Sequence, residues 1–389
     1  MSRSFLRPPS LQTYQVREER KASWLELFYD LAFVVAVAML GQRLLDDFSL
    51  TGFLTYAGLF VAVWWAWVSY TFFADRYDTD DVGQRVLAVF QMVAIVLLAT
   101  SLTGDTNSTV AFAVTYAMAQ TAIVLMYARA YRHVPETRQL VRGYLIGFGT
   151  SASIWLVSAA VPEPWRFWMW ATALTLSFAT PYRLRKVQAG VPLDASHLPE
   201  RFGLFTILVL AESLVAVVMG LSHEGWHLAP VATAVLGVLV AVGLWWLYFD
   251  NADGVLVRRD PKVVSTWRPT AWIYSHLPLA MAVVATGIAV EYAVAHPLDV
   301  VPTQQRWGLF GSAALALASM ALMHIANMAS HDRAIERRQS TIRLTAALML
   351  VVLAAAAVGI NGLAAIAVLT GVLVAQIVFE LVATERAPA

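Results

Sequence analysis

Long apolar runs alternate with short polar connections along the chain, and the length of the runs decides what they are. A helix rises about 1.5 Å per residue, so crossing roughly 30 Å of hydrocarbon takes about 20 mostly apolar residues. Twelve segments have that length and character: 24–45, 52–74, 84–103, 109–130, 140–161, 165–182, 202–221, 228–249, 269–292, 306–328, 342–358 and 363–383. The pattern predicts an all-α fold: a polytopic membrane helix bundle of about twelve transmembrane helices, with the lipid bilayer as its first partner. Gly359-Ile360-Asn361-Gly362 separates the last two segments and predicts a tight turn. The sixth segment is short, and Trp165, Trp168 and Trp170 at its start predict an anchor in the headgroup region.

Composition strengthens this picture. Of 389 residues, 59% are hydrophobic and 14% charged, whereas a soluble domain is about half apolar and about a quarter charged. A net charge of +1 gives no reason to expect a nucleic-acid partner. The absence of cysteine excludes disulfides and thiolate metal sites. Residues 1–23 carry Arg3, Arg7, Arg17, Arg20 and Lys21 and have no apolar core, so they read as a cytoplasmic N-terminal segment rather than a secretory signal.

Charge also orients the spans. With the N-terminus inside, 24 of the 27 Lys and Arg residues fall on cytoplasmic connections, and the outer side holds only Arg43, Arg166 and Arg306. The expectation is a protein of the cell inner or plasma membrane with both termini cytoplasmic.

The chain also echoes itself. Val37-Ala38-Met39 returns as Val217-Val218-Met219, an offset of 180. Trp64-Trp65 is answered by Trp245-Trp246, and both pairs precede acidic connections (Asp78, Asp80 and Asp81; Asp253). Six spans per half give both halves the same orientation. The expected organisation is therefore two parallel six-helix repeats, 24–186 and 187–389, after the 1–23 segment.

Glu26-Leu27-Phe28-Tyr29-Asp30-Leu31-Ala32-Phe33-Val34 at the start of the first span resembles the opening signature of the bacterial low-temperature-requirement A (LtrA) membrane proteins. Three further features are similar to that family: the Trp-rich second span ending in Asp75 to Asp81; His197-Leu198-Pro199-Glu200-Arg201-Phe202-Gly203 leading to Glu212; and the Trp-Trp/Tyr-Phe-Asp run at 245–250. One departure is Ala211, where the family often has Gly. The resemblance covers nearly the whole chain. It implies a multipass membrane protein linked to growth in the cold, with its molecular activity open.

Charged residues inside the spans mark candidate chemistry, because each costs roughly 2.5–3.5 kcal/mol at the bilayer centre. With the seventh span starting at Phe202, Glu212 would lie roughly 15 Å deep. Glu26 and Asp30 share a helical face. They predict either a cation entry site or pairing with Arg85, Arg142 or Arg201. Asp75 and Asp250 occupy matching span ends, His276 lies inside the ninth span, and Trp64 and Trp65 are candidate lining residues. These eight residues form the expected ion or ligand pathway, and no catalytic residue is expected. His223-Glu224-Gly225-Trp226-His227 matches a zinc-protease pattern, but it falls in a short connection with a central glycine. No metal is therefore expected, with His223 and His227 as the alternative. No cofactor motif occurs.

The functional expectation is a transporter or channel-like protein for a small ion or solute, not an enzyme, compatible with a homo-oligomer. The alternatives are a membrane-embedded enzyme and a non-transporting scaffold or sensor.

Overall fold

The computed structural model describes residues 8–11, 22–78, 81–103, 108–188, 190–191, 197–250, 267–327 and 333–385. The long helices are α1 (Trp24–Asp46), α2 (Leu50–Arg76), α3 (Val82–Thr100), α4 (Ser108–His133), α5 (Arg138–Ser158), α6 (Trp165–Arg183), α7 (His197–Glu224), α8 (Leu228–Phe249), α9 (Arg268–Ala295), α10 (Thr303–Asn327, with a π turn at Trp307–Gly311), α11 (Arg333–Ala356) and α12 (Gly362–Glu385). The fold is an all-α, polytopic helical bundle. Among the described residues, 11 of these helices are long and apolar enough to cross a membrane. The exception is α6, whose Arg166, Thr172, Thr175, Ser177, Thr180 and Arg183 dilute its apolar residues.

The chain divides into two compact units. The first comprises Met1–Leu40 and Leu59–Arg201, and the second Gly41–Gly58 and Phe202–Ala389.

In the first unit, α1 opens with a reciprocal cap. Ser23 N–H donates to Glu26 Oε2 at 2.7 Å, and Glu26 N–H donates to Ser23 Oγ at 3.3 Å. This is the Ser-x-x-Glu box that satisfies two of the donors a helix start leaves open. Trp64, Trp65 and Trp67 of α2 are completely buried. Trp65 stacks on Phe178 with ring centroids 3.9 Å apart and donates to Ser177 Oγ. Asp81 caps α3 through the Gln84 N–H and pairs with Arg129 of α4 at 2.8 Å. Consecutive helices α3 to α6 then pack against one another. A two-residue ladder, Ser10–Leu11 against Tyr77–Asp78, joins the N-terminal segment to the end of α2.

In the second unit, α9 has 78% of its apolar window buried, and α8 and α10 pack on it. Helix α7 comes close because two glycines remove side chains at the contact. A Cβ on Gly287 would lie 2.9 Å from the Ser213 backbone, and one on Gly220 would lie 2.6 Å from the Glu291 carbonyl oxygen. The α11–α12 connection is the expected tight turn. Gly359 has φ +83°, and Gly362 packs where a Cβ would meet the carbonyls of Ala293 and His296 at 2.7 Å.

The matched tryptophan pairs meet different surroundings. Trp64 and Trp65 are sealed inside the first unit, while Trp245 and Trp246 are 44% and 38% exposed.

Candidate functional site

The first unit gathers six polar side chains from three helix ends. The first two turns of α1 carry Glu26 and Asp30, the C-terminal half of α2 carries Trp67 and Asp75, and the first two turns of α7 supply His197 and Arg201. Asp30, Trp67, Asp75, His197 and Arg201 are fully buried, and Glu26 is nearly so.

Two connected groups result. Arg201 Nη2 donates to Asp30 Oδ1 at 2.9 Å, and Trp67 Nε1 donates to the same oxygen at 2.7 Å. The Arg201 guanidinium also lies 5.9 Å from the centroid of the Trp67 ring. His197 Nδ1 lies 3.0 Å from Asp75 Oδ1, and its Nε2 lies 3.6 Å from Glu26 Oε1. The imidazole thus stands between two carboxylates. Tyr29, stacked on Tyr70 at 3.9 Å, closes one wall and lies within electrostatic reach of Asp30 and Arg201.

Some hydrogen-bonding capacity is left over. Asp30 Oδ2, Arg201 Nε and Nη1, and the Tyr29 hydroxyl are buried without a hydrogen-bond partner among the described residues. Arg76, buried next to Asp75 in α2 and within electrostatic reach of it, brings a second guanidinium to these three carboxylates, Arg201 and the His197 imidazole. Charges of both signs are thus packed together where water is scarce.

The second unit holds its own buried polar groups. Glu212 is 8% exposed and makes no hydrogen bond or ion pair among the described residues. It lies further from the start of its helix than expected, because α7 begins at His197 rather than at Phe202. Fifteen residues from the helix start put Glu212 roughly 22 Å along α7, beyond its midpoint. Pro199 belongs to the first helical turn, where its missing N–H costs nothing, so the His-Leu-Pro-Glu stretch is helix rather than connection. Glu291 of α9, also buried, is close enough to Glu212 for their charges to interact. A crevice beside them, lined by Ser213, Gly237, Thr286, Gly287 and Val290 among others, is too narrow for a water molecule.

Both ring nitrogens of His276 are engaged: Nδ1 lies 2.8 Å from the Trp272 carbonyl oxygen, and Nε2 lies 3.0 Å from the Tyr248 hydroxyl. A carbonyl only accepts, so Nδ1 carries the proton and Nε2 accepts from the tyrosine. Asp250 is exposed at the C-terminal end of α8, unlike the buried Asp75, so the expected likeness of the two aspartates does not extend to their surroundings. Glu380, near the C-terminal end of α12, is 6% exposed, and Arg343 grips it through Nε at 2.7 Å and Nη2 at 2.8 Å. Arg343 also donates to the Leu247 carbonyl at 2.9 Å. His227 is exposed just before α8, and the side chains of His223 and Glu224 lie outside the described residues. Among the described residues, no group of three or more His, Cys, Asp or Glu side chains could hold a metal ion.

Sequence reasoning reached Glu26, Asp30 and Asp75, and named Arg201 among three cations offered as partners for Glu26 and Asp30. It missed the clasp of His197 by Asp75, which joins positions 122 residues apart, and the Arg343–Glu380 fork. A basic residue within the first turns of a span was the available signal for both arginines.

The family model described as bacterial low temperature requirement A protein (LtrA) matches residues 21–378. The uncharacterized protein RA0937 of Rhizobium meliloti (strain 1021) is 29% identical over 301 residues, covering 72% of this chain and 71% of that protein.

Proposed function

The chain belongs to the bacterial low temperature requirement A family, and from that premise we propose that it is a transporter or channel-like protein moving a proton or small cation across the cell membrane, with both termini cytoplasmic. One observation carries this reading: the buried cluster of Glu26, Asp30 and Asp75 against Arg201 and His197, with Asp30 Oδ2 and two guanidinium nitrogens unengaged. Ionisable residues within membrane spans are costly, and where they are kept they mark ion and proton paths. Asp30 would exchange its bond to Arg201 for the incoming proton or cation. Arg201, still held by the face of Trp67, would balance the charge while the site is empty.

The test is flux in proteoliposomes, with an internal pH-sensitive dye for protons and tracer uptake for sodium and potassium. Asp30→Asn should cut flux at least tenfold while the protein still purifies as a folded species. Absence of flux for all three ions, or flux unchanged in Asp30→Asn, would refute the reading.

A further inference from the structure

The second unit buries two carboxylates with no cation beside them. Glu212 of α7 is 8% exposed and Glu291 of α9 is 5% exposed. Neither makes an ion pair among the described residues, and Glu291 Oε2 is buried there without a hydrogen-bond partner. The glycine contacts set their register. Ser213, next to Glu212, meets Gly287, and Gly220 meets the Glu291 backbone, so the two helices run the same way in close contact. At about 1.5 Å per residue, Glu212 and Glu291 then stand about 7 Å apart along the helix axes. Their charges interact.

The ionisable groups on the surrounding helices are engaged elsewhere. Helix α8 carries no acidic or basic residue between Leu228 and Phe249. On α9, His276 is held by the Trp272 carbonyl and the Tyr248 hydroxyl, and Arg268 stands at the far start of the helix. Tyr292 stacks on His296 and lies within electrostatic reach of Asp299. Arg306 of α10 donates to the Ala354 carbonyl at 2.7 Å. His324 of α10 is within electrostatic reach of Arg343 and Glu380, which bond each other. Glu200 stands in the first turn of α7.

Two neighbouring carboxylates in an apolar interior cannot both keep their charge unless something positive joins them. A metal ion would need several oxygen ligands at once. The described residues supply no third ligand here, and the crevice beside the pair, lined by Ser213, Thr286 and Val290 among others, has no room for a water molecule. A proton needs neither further ligands nor space. We infer that Glu212 and Glu291 form a proton site inside the second unit, with at least one of the two carboxyl groups held in its acid form at neutral pH. The inference does not rest on the transport reading, because the pair holds its proton whether or not an ion passes Asp30.

Dicyclohexylcarbodiimide tests this in the full-length protein in nanodiscs, because it reacts with carboxylic acids in apolar surroundings and not with carboxylates. Mass spectrometry locates the label. Glu380 is the control: it lies in the same unit and is as buried, at 6% exposed, but is matched by Arg343. At neutral pH the label should appear on Glu212 or Glu291 about fivefold or more above Glu380, and should fall as the pH rises. In Glu212→Gln, Glu291 loses its like-charged neighbour, so the pH at which its labelling halves should drop by about one unit or more. Labelling of both residues no higher than that of Glu380 would overturn the inference, as would a half-labelling pH that does not move in Glu212→Gln. Suppression of the label by sodium or potassium at constant pH and ionic strength would overturn the proton as the ligand. If Glu212→Gln does not fold, the wild-type comparison with Glu380 still decides. Ion flux is not the readout, so this result and that for Asp30 stand apart.

Discussion

Replacing Arg201 by methionine is the most direct probe of the charge cluster. Asp30 Oδ1 accepts from Arg201 Nη2 at 2.9 Å and from Trp67 Nε1 at 2.7 Å, and all three side chains are fully buried. Arg201→Met keeps an unbranched apolar side chain in the same space but leaves the carboxylate with one neutral donor. Breaking a buried pair from one side costs about 3–5 kcal/mol, most of it from the charge left behind. Asp30→Asn in the same background removes that charge, so the double variant should lose only about 1–3 kcal/mol relative to wild type. The two substitutions should therefore be non-additive by about 2 kcal/mol or more. Reversible unfolding in mixed micelles, titrated with dodecyl sulfate and followed by tryptophan fluorescence, measures all four corners of the cycle. Losses that add to within about 0.5 kcal/mol would refute the pairing.

Two further outcomes follow from the same distances. Trp67→Phe removes the indole donor to Asp30 and should destabilise by about 1–3 kcal/mol, whereas Trp245→Phe, at a 44% exposed ring, should change stability by less than about 0.5 kcal/mol in the same titration. Glu380→Gln leaves the Arg343 guanidinium without its carboxylate and should cost about 3–5 kcal/mol, with Arg343→Met in addition recovering part of it; a double variant no better than the single one would count against a paired role.

The series of long apolar helices was legible because lipid imposes a local rule. Each crossing needs its own run of apolar side chains, and such runs can be counted without knowing what they pack against. The Gly359–Gly362 turn was legible for the same local reason. Helix ends were less so where polar residues continue a helix beyond its apolar part. Helix α11 begins at Arg333, nine residues before its apolar stretch, and α7 begins at His197, five residues before its own, so that Glu212 stands further along the helix than along the apolar run. The i, i+4 spacing of Glu26 and Asp30 announced a shared face, but their choice of partner was a tertiary matter. Arg201 takes Asp30, and His197 stands between Asp75 and Glu26. The tryptophan pairs give the plainest lesson. The same dipeptide is sealed at 64–65 and open at 245–246, because burial depends on which helices arrive beside it and not on the residues themselves.

Glu26 links two things that are usually separate. Its Oε2 holds the Ser23 N–H and so fastens the first turn of α1, while its Oε1 faces the His197 ring. One carboxylate is both the clasp of a helix and a member of the charge cluster. Any event that turns that carboxylate toward the imidazole loosens the clasp, and any event that frays the helix start releases a charge into the cluster. Under the proposed transport reading, the occupancy of the site would thus be transcribed into the looseness of the first long helix. Amide hydrogen exchange at the start of α1 would read that record without following the proposed ion at all.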